Sequence, residues 1–201
     1  PISVVIIGGG VIGMEFAFLY RSMDMQVYVV EYLDHILGNV DADVSELIAA
    51  QAAERGIRIF TGSKVTGILR SDSGETLVTF EQDGQIRTLV AQSVLTATGR
   101  RPVTDGLNLE AAGVARTDRG AVAINEQMQT NVPHIYAIGD VTGKVALAHG
   151  ASHQGIVAVD AIRGFPHEMD YDAIPSVIFT APEAACVGKS EQACKKSGIP
   201  V

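Results

Sequence analysis

Along this chain, short unbroken apolar runs trade places with stretches in which apolar positions recur every three or four residues. That is the pattern of strands and helices in turn. Ser3-Val4-Val5-Ile6-Ile7 is β-branched and runs straight into glycines, which predicts a strand buried on both faces. Residues 11–21 carry good helix formers with apolar side chains on most sides, and 26–30 are apolar again, so the opening predicts β-α-β. Asp43 with Glu46 resembles a capping box ahead of the stripe Val44, Leu47 and Ile48, and Gly56 marks the end of that helix. Residues 57–60 then read as a third parallel strand.

From 64 to 90 the pattern changes to alternation, in segments 65–69, 76–80 and 85–90 separated by Ser71-Asp72-Ser73-Gly74 and Asp83-Gly84. This predicts a three-stranded antiparallel meander. Residues 93–97 form another buried strand, closing at Thr98-Gly99-Arg100-Arg101-Pro102. Beyond a hairpin near Arg119-Gly120, a strand is expected at 134–138, ending in Gly139-Asp140. A helix is expected from about 148 to 163, stopped by Gly164 and Pro166. A strand at 176–180 and a helix at 190–198 complete the prediction. The fold class is α/β: a three-layer unit with a central parallel sheet, covered on one side by the meander.

Composition narrows the function classes. The chain has 201 residues and is 47% apolar, with no run near the length of a membrane span and no basic leader with a cleavage site. No membrane partner is expected. A net charge of -8 without a basic cluster disfavours nucleic acid. Cys186 and Cys194 match neither a metal-ligand pair nor a CxxC motif, so they read as reduced thiols of a cytoplasmic protein and no metal is expected. Pro1 stands immediately before a buried strand, which suggests a piece of a longer polypeptide.

The chemistry begins at Gly8-Gly9-Gly10-Val11-Ile12-Gly13, a GxGxxG between the first strand and the first helix. Gly8 permits the tight turn, Gly10 admits a pyrophosphate to the backbone, and Gly13 lets the helix pack on the sheet. The N–H groups of Val11 and Ile12 then face the phosphates at the positive end of the helix dipole. Glu31, at the end of the next strand, is placed to accept both hydroxyls of an adenine ribose and to repel a 2′-phosphate. With Tyr32 next and no Arg or Lys nearby, the motif predicts a Rossmann-like domain that prefers NADH to NADPH.

Several segments then occur in order: GGGVIGMEFA from Gly8, ATGRRP from Ala97, TNVPHIYAIGD from Thr130, Leu147-Ala148-His149, and IPSVIFTAPEAACVG from Ile174. Together they resemble the flavoprotein disulfide reductases, most closely the dihydrolipoamide dehydrogenase branch, over essentially the whole chain. The resemblance implies an oxidoreductase using NAD(H) and FAD. It divides the chain into an NAD(H)-binding domain (1–119), a returning segment of the FAD-binding domain (120–165), and the start of an α+β dimerisation domain (166–201). It implies that Asp140, after Gly139, holds the ribityl chain of FAD, and that the helix opening at Ala148 and His149 points its amides at the flavin. It places Arg100 at the junction with the flavin domain. Glu15 falls beside the nicotinamide, Gly99 beside NAD and Val65 near the adenine. Taken alone, Glu15 reads as a solvated helix carboxylate, Asp140 as a turn aspartate and Arg100 as a surface salt-bridge residue.

The family's redox CxxxxC pair and its C-terminal His/Glu dyad are absent from these residues, so no catalytic residue is expected in this chain. The intact parent is expected to be a homodimer acting on a dithiol, with the chain alone inactive. A soluble transhydrogenase, a mercuric reductase or an NADH oxidase-type relative shares the same motifs. A non-catalytic NAD-binding module would need only Gly8 to Glu31.

Overall fold

Residues 2–201 are described by a computed structural model. Strands β1 (Ser3–Ile7), β2 (Gln26–Val30), β3 (Arg58–Phe60) and β7 (Ser93–Thr96) form one parallel sheet in the order β3-β2-β1-β7. Side chains alternate between its faces with a period of two. Val4, Ile6, Val27 and Val29 pack on the helical side with Met14, Ala17, Ile48 and Ala52 of α1 (Val11–Ser22) and α2 (Ala42–Glu54). Val5, Ile7, Tyr28 and Val30 face the other way, onto Val78, Phe80 and Ala91 of the meander β4 (Ser63–Arg70), β5 (Thr76–Gln82) and β6 (Gln85–Ala91). Each fully buried aliphatic chain in these two cores contributes about 1.5–3 kcal/mol. The α/β class, the parallel sheet and the antiparallel meander read from the sequence are all present.

The described residues form two compact units, 2–99 with 175–201, and 100–174. These are units of packing, and the expected division at 119 and 165 was one of function. The returning segment of the first unit carries β8 (Ser176–Ile178) and β9 (Ala184–Cys186), which pair antiparallel, and places Ile178 in the helical core. It ends with α4 (Glu191–Lys196), capped by the Ser190 hydroxyl, which accepts from the Ala193 N–H at 3.2 Å. The second unit is built on α3 (Ala148–Ile162), whose Val157 and Ala158 cluster with Met128 and Met169.

Two local expectations are corrected. The run 134–138 is not a strand: its one ladder contact is an isolated bridge between Tyr136 and Gln129, because a strand needs a neighbour and no continuous one lies beside it. Tyr136 packs on the second unit's core while Ile138 stays 43% exposed. The cap of α2 is Asp41, not Asp43, whose carboxylate instead accepts from the adjacent Val44 N–H. The Asp41 carbonyl accepts the Ser45 N–H at 3.0 Å, but its side chain makes no bond to its own helix; the Oδ1 accepts the Glu191 N–H at 2.6 Å, tying α4 to the start of α2.

Asp41→Ala is therefore expected to cost about 1 kcal/mol, read as a small fall in Tm with faster amide exchange confined to α4. Unchanged exchange there would refute the tether. Among the described residues, no helix is long and apolar enough to cross a membrane.

Candidate nucleotide-binding site

In the first unit the site lies at the C-terminal ends of β1, β2 and β7. Gly8 leaves β1 with φ +110°, and a Cβ there would stand 2.4 Å from the Ala97 carbonyl oxygen at the end of β7. A Cβ on Gly13 would stand 1.9 Å from the Gly8 carbonyl oxygen, so the first turn of α1 rides directly on the β1 turn. Gly10, the N-cap of α1, has ordinary extended geometry and nothing within 4 Å of a Cβ. Steric demand from the protein explains Gly8 and Gly13. At Gly10 the backbone is bare on a side that faces no protein atom.

The first backbone donor that α1 satisfies internally is Met14, whose N–H reaches the Gly10 carbonyl at 2.9 Å. The amides of Val11 and Ile12 precede it and have no helical acceptor, which leaves donors free at the positive end of the helix dipole. Glu31 is buried just beyond β2. Its Oε2 accepts the Gly9 N–H at 2.5 Å and its Oε1 accepts the Leu33 N–H at 2.7 Å, so one carboxylate braces the glycine turn against the loop that follows β2. The Leu37 N–H closes the same loop onto the Gly9 carbonyl at 2.9 Å. A carboxylate has about four acceptor positions, so each Glu31 oxygen retains capacity for a ligand hydroxyl. In that loop the His35 ring holds the Asp34 carboxyl below its ordinary pKa, first by a hydrogen bond and then by its charge.

The other residues singled out in the sequence are spread more widely. Gly99 follows β7 with φ +107° and open space around it. Val65 lies in β4 beside the bulge before Gly67, half-buried against the core shared by sheet and meander. Glu15 accepts the Phe179 N–H at 2.9 Å, joining α1 to the segment after β8, a contact that no local pattern signals. In the second unit, Asp140 lies in the tight turn Gly139–Thr142, and its exposed carboxylate is 3.3 Å from the Arg100 guanidinium. Arg100 thus does form a salt bridge, with Asp140 as its partner. Helix α3 opens at Ala148 and His149 with no side-chain cap. Cys186 and Cys194 are free thiols.

A family model described as pyridine nucleotide-disulphide oxidoreductase matches residues 1–155. The chain belongs to that family. Among curated relatives, proteins named dihydrolipoyl dehydrogenase from Mycobacterium leprae and Chlamydia pneumoniae are 45% and 44% identical, each over 100% of this chain. The chain spans about two fifths of the length of these relatives, 43% and 42% respectively. Among solved structures, LpdA of Mycobacterium tuberculosis is 32% identical with a TM-score of 0.89, over 98% of this chain and 42% of that one. The HOCl-induced flavoprotein disulfide reductase RclA of Escherichia coli, in a Cu(II) complex, is 28% identical with a TM-score of 0.88, over 98% of this chain and 44% of that one. The family implied by the motifs is the family to which this chain belongs, and its relatives named dihydrolipoyl dehydrogenase are oxidoreductases.

Proposed function

We propose that the chain supplies the NAD(H) site, and part of the FAD site, of a dihydrolipoyl dehydrogenase. The observation that carries this is the glycine turn: Gly8 and Gly13 are demanded by backbone contacts, whereas Gly10, at the start of α1, has no protein atom within 4 Å of a Cβ and leaves the backbone there open to a ligand. The Val11 and Ile12 amides bind the pyrophosphate, Glu31 accepts the ribose hydroxyls, and Glu15, Val65 and Gly99 border the nucleotide. Identities of 41–45% to proteins named dihydrolipoyl dehydrogenase favour this member of the family over its relatives.

The residues of the second unit suit a flavin. Asp140 offers a charged acceptor to ribityl hydroxyls, the stronger kind of hydrogen bond. Arg100 beside it compensates that charge, and the start of α3 at Ala148 and His149 provides amides to stabilise negative charge. Bound FAD supplies a two-electron carrier between the nicotinamide and a dithiol. In this reading residues 1–119 serve NAD(H), 120–165 serve FAD, 166–201 open the dimer interface, and the enzyme works as a homodimer in the cytoplasm.

Calorimetric titration of the chain with NADH and NADPH tests the nucleotide assignment. NADH is expected to bind at least about ten-fold tighter, since an added phosphate beside the Glu31 carboxylate costs on the order of 1.4 kcal/mol. Equal affinities would overturn it.

A further inference from the structure

We infer that Gln154 is the positioning residue for Asp140, acting through the backbone of Gly139; the functional consequence rests on the reading of Asp140 as a flavin contact. Gln154 is fully buried on the inner face of α3, in line with Gly150, Val157 and Ala158. A polar side chain in such a stripe is costly unless both ends of its amide are paired. Both are. Its Oε1 accepts the Gly139 N–H at 2.6 Å, and its Nε2 donates to the Tyr171 hydroxyl at 3.0 Å. The Tyr171 hydroxyl in turn lies 3.9 Å from the Met128 sulfur.

Gly139 is also held from its other side, where the buried Thr142 hydroxyl donates to the Gly139 carbonyl at 2.8 Å. The residue has φ +76°, a conformation that side-chain-bearing residues rarely adopt. Both backbone polar groups of Gly139 are therefore fixed by side chains, in a left-handed conformation that glycine alone adopts readily, immediately before Asp140. The Asp140 carboxylate leaves this anchored point toward solvent and Arg100. An aliphatic residue at 154 would fill the same volume with no polar group to desolvate. Only an acceptor holds the Gly139 N–H, and that is what the amide adds.

The test uses the full chain and two readouts. In hydrogen exchange, Gln154→Met is expected to lower protection of the Gly139 amide on the order of ten-fold, with the Val157 and Ala158 amides of α3 unchanged. Gln154→Glu, whose carboxylate accepts from both Gly139 and the Tyr171 hydroxyl, is expected to restore it. Should the Met variant not fold, Gln154→Asn, one methylene too short to reach, carries the same expectation. Unchanged protection at Gly139, or an equal loss along α3, would overturn the inference.

In the second readout, the anisotropy of added FAD, Gln154→Met and Asp140→Asn should each weaken binding about ten-fold. The double variant should be no weaker than Asp140→Asn. Losses that add would show Gln154 acting elsewhere and would overturn the inference. FAD binding indifferent to Asp140→Asn would refute the flavin reading; in that case, or where the chain's partial site holds no FAD, the exchange result decides the positioning by itself.

Discussion

Gly13→Ala is expected to destabilise the first unit strongly, whereas Gly10→Ala, three residues away in the same motif, should leave the fold in place and weaken NADH binding. The new Cβ at position 13 meets the Gly8 carbonyl oxygen at 1.9 Å, and that oxygen belongs to a turn packed so closely on the chain after β7 that a Cβ on Gly8 would stand 2.4 Å from the Ala97 carbonyl oxygen. Neither side of the contact is a flexible side chain that can swing away. The backbone must shift, at about 3 kcal/mol or more, which for a unit of this size lowers Tm by roughly 10 °C. At position 10 the new methyl meets nothing within 4 Å, and the weaker cap costs at most about 1 kcal/mol. Its damage falls on the ligand, because the methyl occupies the approach to the pyrophosphate, and NADH affinity should drop more than ten-fold. Thermal melts and calorimetry on the two variants separate the effects. A Gly10→Ala chain that binds NADH like the wild type would sink the assignment of that open side to a phosphate.

Glu31→Ala should show both losses in one variant. It leaves the buried Gly9 amide and the part-buried Leu33 amide without the acceptors they now have at 2.5 and 2.7 Å. Orphaning a buried donor costs about 1–3 kcal/mol, and water can reach the Leu33 amide, so a loss of roughly 1–3 kcal/mol is expected. The same change removes the carboxylate that selects against a 2′-phosphate, so the ratio of NADH to NADPH affinity should move toward unity in the protein that remains folded. Glu31→Gln retains one acceptor oxygen but turns a donor toward the other amide, and an intermediate Tm is expected. Should Glu31→Ala melt with the wild type and keep its preference for NADH, the carboxylate neither braces the turn nor reads the ribose.

What could be read from the residues was what short-range physics decides. β1, the glycine turn and α1 follow one another within a span where strand, turn and helix each need only their own residues, and all three stand where the pattern placed them. The meander was legible because its alternation and its Asp83-Gly84 turn are local as well. The run 134–138 has the same apolar look as β1, yet strand formation depends on a neighbour that the run itself cannot specify. The choice between Asp41 and Asp43 was likewise tertiary, since the partner that Asp41 serves is the distant Glu191 amide. Glu31 was found, but only as a ligand group; its bond to Gly9 depends on a loop closure that spacing does not reveal. Gln154 was missed although a signal existed. It is a polar residue on an otherwise apolar helical stripe, and such a residue calls for a buried partner.

The chain leaves the first unit at Gly99 and rejoins it at Pro175, with a whole second unit in between. Ile178, buried in the helical core beside Ala181 and Ala184, therefore reaches its place only after that excursion. On a ribosome the early strands and helices emerge with a hole in their core, and the plug is synthesised several seconds later at typical elongation rates. Until then the sheet has its parallel register but not its full packing. Closing a disordered excursion of this length costs roughly 4 kcal/mol of chain entropy. If the insert has already ordered, its two ends are held at a fixed separation and most of that cost has been met. Early ordering of the second unit is therefore expected to ease completion of the first, and a lesion confined to the insert should surface as aggregation of the first unit's sheet during synthesis.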